Sequence, residues 1–174
     1  MKKISVWICI SCAGLFCFLV FLFLVGIKFN ISDSIPKGIY RVHQGEIKRN
    51  SFVLFCPDDR EAFRLGKRRG YLNHGFCSND YGYVMKQVVA LAGDEVSSTD
   101  KGVFVNHRQI RFSQPHIHDG FNRPMPLWRV KKYTLQAGEL VTMTNQNSLS
   151  FDSRYFGLIQ VKQVKGIIDP VFIW

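Results

Sequence analysis

The sequence has no glycine-rich phosphate loop, no two pairs of metal ligands at zinc-like spacing and no internal repeat. Those absences set aside a nucleotide-driven enzyme, a zinc module and a solenoid, and no cofactor or metal is implied. The five histidines, His43, His74, His107, His116 and His118, lie in no motif, and His116-x-His118 alone is too short a signal for a metal site. Low-complexity tracts and linkers are missing too, and the 14 glycines and 6 prolines are scattered. After one apolar opening segment, the 174 residues therefore leave room for a single domain with its own core.

Acidic residues are few, 13 against 23 Lys and Arg, for a formal charge of +10. Setting aside Lys2, Lys3 and Lys28 leaves 20 basic against 13 acidic residues, +7 on the rest. The basic residues are dispersed, the densest run being Lys67-Arg68-Arg69, and no nucleic-acid-binding motif accompanies them. Direct nucleic-acid binding is not expected; attraction to anionic membrane lipids explains the excess more simply.

Long apolar runs are confined to the start. Ile4 to Ile27 carries no charge, and 24 helical residues at roughly 1.5 Å each cover about 36 Å, enough to cross a bilayer. Lys2 and Lys3 precede the run, which in a bacterial membrane puts the N-terminus in the cytoplasm and the remainder in the periplasm. The exit, Val25-Gly26-Ile27-Lys28-Phe29, is a poor cleavage site, so an anchor is read here in preference to a cleaved signal. The expected organisation is an anchor over residues 1–30 and one domain over residues 31–174.

Three of the five cysteines, Cys9, Cys12 and Cys17, lie inside the apolar run and behave as small hydrophobes. Cys56 and Cys77 remain. On the oxidising side of a membrane they can bridge, closing a loop worth roughly 3 kcal/mol in the chain-entropy account. The alternative is a free buried pair.

Short segments rich in β-branched and aromatic residues, separated by Gly, Asp, Asn or Pro, predict strands at Ile39–Val42, Ser51–Phe55, Gly82–Ala92, Glu95–Ser97, Gly102–Val105, Arg108–Phe112, Tyr133–Leu135, Leu140–Thr144 and Gly166–Phe172. Asn106-His107 marks a tight hairpin. Arg60 to Tyr71 is read as one short helix, and His116 to Arg129, with its prolines, as an excursion over the surface. The fold class is mostly β, antiparallel, behind a single N-terminal transmembrane helix.

Three motifs carry chemistry. In Ser32-Asp33-Ser34-Ile35-Pro36-Lys37-Gly38 the proline disfavours helix at Ile35 and presents Ser34 from a stiff extended turn. In Tyr83-Val84-Met85-Lys86-Gln87-Val88-Val89-Ala90, strand alternation puts Lys86 on one face with Val84, Val88 and Ala90. Burial there disfavours its charged form, and a neutral lysine is a competent general base; the bland alternative is an edge-strand lysine that blocks unwanted pairing. The third, Asn147-Ser148-Leu149-Ser150-Phe151-Asp152-Ser153-Arg154-Tyr155-Phe156-Gly157, interleaves hydroxyls with an acid and a base, as a loop organising a site would.

Taken together these motifs resemble the type I signal peptidases, which carry a serine just after a membrane span, a lysine followed by Val-Val-x-x-x-Gly-Asp, and a late Ser-x-Asp-Ser-Arg-Tyr box. Here Lys86 to Asp94 and Ser150 to Gly157 stand in that order. General signal peptidases place methionine after the serine, whereas Ser34-Ile35-Pro36 is similar to the conjugative-transfer, TraF-type branch, as are Phe55-Cys56-Pro57 and Gly75-Phe76-Cys77. The resemblance implies a signal-peptidase-like β domain with Ser34 as nucleophile, Lys86 as general base and Asp152 among the active-site residues. It further implies that Ser150 orients the lysine amine, that Arg154 pairs with Asp152, and that Ser32 contributes its hydroxyl, beside the Ser34 N–H, to an oxyanion site. The implied partners are a membrane-inserted pilin precursor, membrane lipids and other proteins of a conjugation apparatus. The implied reaction is cleavage of that precursor, with cyclisation in some members. A general leader peptidase and a non-catalytic anchored binding component are the alternatives.

Overall fold

The computed structural model describes residues 2–174. In chain order the elements are α1 (Lys2–Leu24), β1 (Ile27–Asn30), β2 (Gly38–His43), β3 (Phe52–Phe55), α2 (Glu61–Arg68), β4 (Val84–Ala90), β5 (Glu95–Thr99), β6 (Gly102–Val105), β7 (Arg108–Gln109), β8 (Val130–Thr134), β9 (Glu139–Met143), α3 (Ser153–Phe156), β10 (Ile159–Gln160) and β11 (Val164–Ile173). Within α1, Trp7–Leu24 is long and apolar enough to cross a membrane and is unburied by the rest of the chain. The side chains of Lys2 and Lys3, from which an orientation was read, lie outside those described.

The N-terminal helix ends at Leu24, and residues 27–30 form a strand. The chain turns at Gly26, whose φ of +79° suits glycine, and Ile27–Asn30 then pairs antiparallel with β2. Backbone pairing places these four residues, apolar and polar by turns, in the large sheet.

All strand pairs are antiparallel. Seven strands form one sheet in the order β1-β2-β11-β3-β4-β9-β10, and four form a second, β7-β6-β5-β8. One core cluster, containing Val53, Phe55, Phe63, Val84, Val88 and Phe156, packs α2 and α3 against the large sheet. Another gathers Val89, Val96, Val103, Val105, Val141 and Met143 from both sheets. A third, Ile35, Tyr40, Leu54 and Ile168, seats the loop between β1 and β2 on its own sheet.

The expected hairpin is there: Asn106 and His107 both take positive φ, 49° and 67°, as a two-residue turn of this hand requires. The helix read over Arg60 to Tyr71 occupies Glu61–Arg68, with Glu61 in its first turn and Lys67 and Arg68 in its last, matching the helix dipole. Gly70 ends it: the Gly70 N–H donates to the Lys67 carbonyl and the Tyr71 N–H to the Gly66 carbonyl, a Schellman closure. The strand expected over Arg108–Phe112 stops at Gln109, and the stretch 110–129, which includes the expected excursion from His116 to Arg129, contains no helix and no strand of the two sheets. It is pinned by Asp119, which accepts from Tyr71 and Arg123.

Cys56 and Cys77 are joined in a disulfide across a sequence separation of 21 residues. A loop of that length predicts that the Cys56→Ala/Cys77→Ala double variant loses about 3 kcal/mol of unfolding free energy. Denaturant titration of the full chain in detergent measures it. An unchanged midpoint would show that the bridge adds nothing to the fold.

Candidate active site

The site is assembled from three places in the chain. Ser34 stands on the loop between β1 and β2; Lys86 stands mid-way along β4, between β3 and β9; Ser150 stands just before α3. β2 and β4 are not neighbours, being separated by β11 and β3, so the loop itself must carry Ser34 to Lys86. Ile35, 1% exposed, roots the loop in the cluster with Tyr40, Leu54 and Ile168, and the Tyr40 hydroxyl donates to the Pro36 carbonyl at 2.6 Å. Gly38, next in line, passes so close to β11 that a Cβ would meet the Phe172 carbonyl at 2.2 Å. No larger residue fits there without moving the base of the loop.

Lys86 is 3% exposed, and along β4 Val84, Lys86 and Val88 are buried while Met85 and Gln87 are half-buried. Its Nζ donates to Ser34 Oγ at 2.7 Å and to Ser150 Oγ at 2.7 Å. Burial drives the ammonium from the ordinary 10.5 down to about 8; the negative field of Asp152 opposes that shift and the positive field of Arg154 adds to it. With a pKa of about 8, roughly one molecule in ten holds a neutral amine at pH 7. In that state the Ser34 hydroxyl donates to the amine, and the geometry is that of a nucleophile beside its base.

Asp152 and Arg154 stand behind this pair. Asp152 caps α3 and is fully buried; its carboxylate takes both Nε and one terminal nitrogen of Arg154 at 2.8 Å. Among the described residues it makes no hydrogen bond to Ser34 or Lys86, so it acts on Lys86 through its field. Arg154 spends its remaining donors on carbonyls: Phe112 at 2.8 Å, Ser148 at 2.6 Å and Ser150 at 2.9 Å. One guanidinium thereby ties the 110–129 excursion to the loop that bears Ser150.

Of the two oxyanion donors expected, the Ser34 N–H faces Ser32 Oγ at a long 3.5 Å. The Ser32 hydroxyl gives its proton to Asn30 Oδ1 at 2.7 Å. Ser32 must rotate away from Asn30 before it can donate to anything else.

A cleft of about 500 Å³ opens over Ser34 and Ser150, walled by Tyr71, Met125, Phe151 and Tyr155, with His116 and His118 on its rim. The histidines reach it because the excursion folds back, the His116 N–H donating to the Tyr155 hydroxyl at 3.0 Å. Nothing in their local sequence signals that position. The same holds for Asn30, whose partners are almost all backbone carbonyls and amides. No group of three or more metal-ligating side chains is found among the described residues.

Comparison with known proteins adds the following. The family described as signal peptidase, peptidase S26, matches residues 1–174. A plasmid transfer protein TraF of Escherichia coli is 40% identical over 152 residues, 87% of this chain and 86% of that one. A probable conjugal transfer protein TraF of Sinorhizobium fredii (strain NBRC 101917 / NGR234) is 31% identical over 157 residues, 86% of this chain and 78% of the relative. The crystal structure of a signal peptidase I from Enterococcus faecalis V583 aligns with a TM-score of 0.41 at 16% identity, over 73% of this chain and 100% of the other.

The Lys86 environment sets a stability signature. Between pH 8 and 10.5 the unfolded chain holds a proton on Lys86 that the folded chain has lost. The fold is therefore penalised in full below about pH 8, and the penalty vanishes as pH rises to 10.5. Wild type should gain about 3 kcal/mol relative to Lys86→Met between pH 7 and pH 10.5 in paired urea titrations, from 1.36 kcal/mol per pKa unit. A flat difference across that window would contradict a depressed Lys86.

Proposed function

We propose, for a chain that belongs to the signal peptidase family, peptidase S26, and to its conjugative-transfer, TraF-type branch, that it is a membrane-anchored serine endopeptidase which uses Ser34 and Lys86 to process a membrane-inserted pilin precursor. The observation that carries this reading is the 2.7 Å contact between Ser34 Oγ and an amine that burial has made easy to deprotonate.

In the proposed reaction, Ser34 Oγ attacks the scissile carbonyl while its proton passes to the neutral Lys86 amine. Ser150 Oγ, 2.7 Å from Nζ, holds the amine in line. Negative charge builds on the carbonyl oxygen, facing the Ser34 N–H and, after rotation, the Ser32 hydroxyl. Collapse breaks the C–N bond, Lys86 returns the proton to the leaving amine, and an ester remains on Ser34. Water releases the product as an acid; a tethered substrate amine attacking the same ester releases it as a ring. Asp152 and Arg154 serve as positioning residues, since their contacts are with each other and with the loops around the amine.

Location supports the substrate class. Ser34 lies ten positions beyond Leu24, the end of α1, so the nucleophile is within about 35 Å of the anchor even at full extension. The cysteine bridge fits an oxidising compartment, and with α1 spanning the inner membrane the domain faces the periplasm. Anionic lipids and other conjugation-apparatus proteins are the remaining partners of this reading.

Two measurements test it. Co-expressed with a pilin precursor, Ser34→Ala and Lys86→Ala should each leave the precursor at full mass, a general base alone being worth about 10²–10⁴ in rate. Full processing by either variant would sink the dyad. For the wild type, kcat/KM should rise with pH through an apparent pKa near 8, since only the neutral Lys86 accepts the proton.

A further inference from the structure

The loop that bears Ser34 has an organiser that the proposed chemistry does not use. Asn30 closes β1, paired with Gly38 at the start of β2, and is 5% exposed. Its side chain turns into the loop. Nδ2 donates to the carbonyls of Ser32 at 2.9 Å, Ile35 at 2.9 Å and Pro36 at 3.0 Å, and Oδ1 accepts from the Ser32 N–H at 3.2 Å and the Ser32 hydroxyl at 2.7 Å. One amide thus makes five contacts on both sides of Ser34. Elsewhere the loop is fastened by the burial of Ile35, by the Tyr40 hydroxyl on Pro36, and by an exposed ion pair between Lys37 and Asp33.

Resting on the peptidase reading above, we infer that Asn30 is a positioning residue of the reaction: its amide holds the nucleophile loop at the curvature that puts Ser34 Oγ on the Lys86 amine, and it parks the Ser32 hydroxyl beside the Ser34 N–H. Two features of the amide are needed at once. Its donor end must satisfy three converging carbonyls, which an isosteric carboxylate would repel. Its acceptor end takes the one proton of the Ser32 hydroxyl, so that the Ser32 oxygen turns a lone pair toward the Ser34 N–H. When charge builds on the substrate oxygen, the same hydroxyl proton is the one able to leave Asn30 for it. Asn30 is therefore the resting partner of a group the transition state would call on. A displacement of about 1 Å at a nucleophile costs on the order of 10²-fold in rate. The loop's other fastenings lie at Pro36, Ile35 and the exposed pair, and leave Ser32 to Asn30.

The test compares wild type, Asn30→Ala and Asn30→Asp as full-length protein in detergent. Processing kinetics are read on a synthetic peptide spanning the precursor cleavage site, and backbone amide exchange is read over residues 31–37. Both variants should lose about 100-fold in kcat. KM should stay within about threefold, and the kcat/KM profile should keep its midpoint near pH 8, because Lys86 is untouched. Exchange over the loop should rise at least about tenfold in both while the core strands stay protected. Retention of kcat within about threefold in Asn30→Ala overturns the inference, as do unchanged exchange over the loop or a global loss of fold in both variants. A wild type that fails to process the peptide overturns the peptidase reading instead, and the exchange comparison then decides whether Asn30 positions the loop.

Discussion

An amine kept out of water sets the terms for everything around it. Lys86 sits on an interior strand of a seven-stranded sheet, and desolvation is the largest influence on its pKa. Edge placement would let the side chain snorkel and stay charged. Here β3 and β9 flank β4 on both sides, with Val53 directly across from Lys86, so its Nζ finds two hydroxyls within reach. A fold that buries such a group gives up stability near neutral pH. That sacrifice is the kind expected where a side chain is held for its reactivity.

The Asp152–Arg154 pair shows how finely this cost is set. A buried carboxylate alone would pull the lysine back toward its charged form. Bound bidentate to a buried guanidinium, it has a field that Arg154 opposes: Asp152 favours the charged lysine, and Arg154, the smaller influence, disfavours it. The pair also does structural work that an apolar replacement would not. Arg154 gathers carbonyls from the excursion at Phe112 and from the loop at Ser148 and Ser150, which fixes the hydroxyl beside the lysine amine. Removing either member would leave an uncompensated buried charge and free the Ser150 loop together.

Legibility in the sequence followed the range of the interaction. Lys86 could be read because strand alternation sets it on one face with Val84, Val88 and Ala90, a pattern contained in seven residues. The hairpin at Asn106-His107 and the helix ending at Gly70 are equally local. β1 was hidden because its first residue closes the apolar run and the three that follow are too few to show a strand pattern; pairing with β2 makes it a strand. β10, two residues long, exists by its pairing with β9 alone. Asn30 was hidden for a different reason: four of its five contacts are with backbone groups, which every residue carries, so no pattern of side chains announces them. His116 and His118 reach the cleft only because a 20-residue stretch without regular structure returns to it.

The pairing of Ile27–Asn30 with β2 bears on how α1 is joined to Ser34. A flexible linker of nine residues would let Ser34 sample a wide range of heights above a membrane. Instead four of those residues are locked in register against β2, and the remaining loop is filled by the Asn30 amide and rooted by Ile35. On the proposed reading, with α1 in the bilayer, the joint between membrane and nucleophile shrinks to the turn at Val25 and Gly26, which is itself hydrogen-bonded back to α1 and, through the Gly26 carbonyl, to Val42. The nucleophile loop is then the first turn the chain makes inside the folded domain. Displacement of α1 would be transmitted through a short hydrogen-bonded strand to the residue that holds the Ser34 loop.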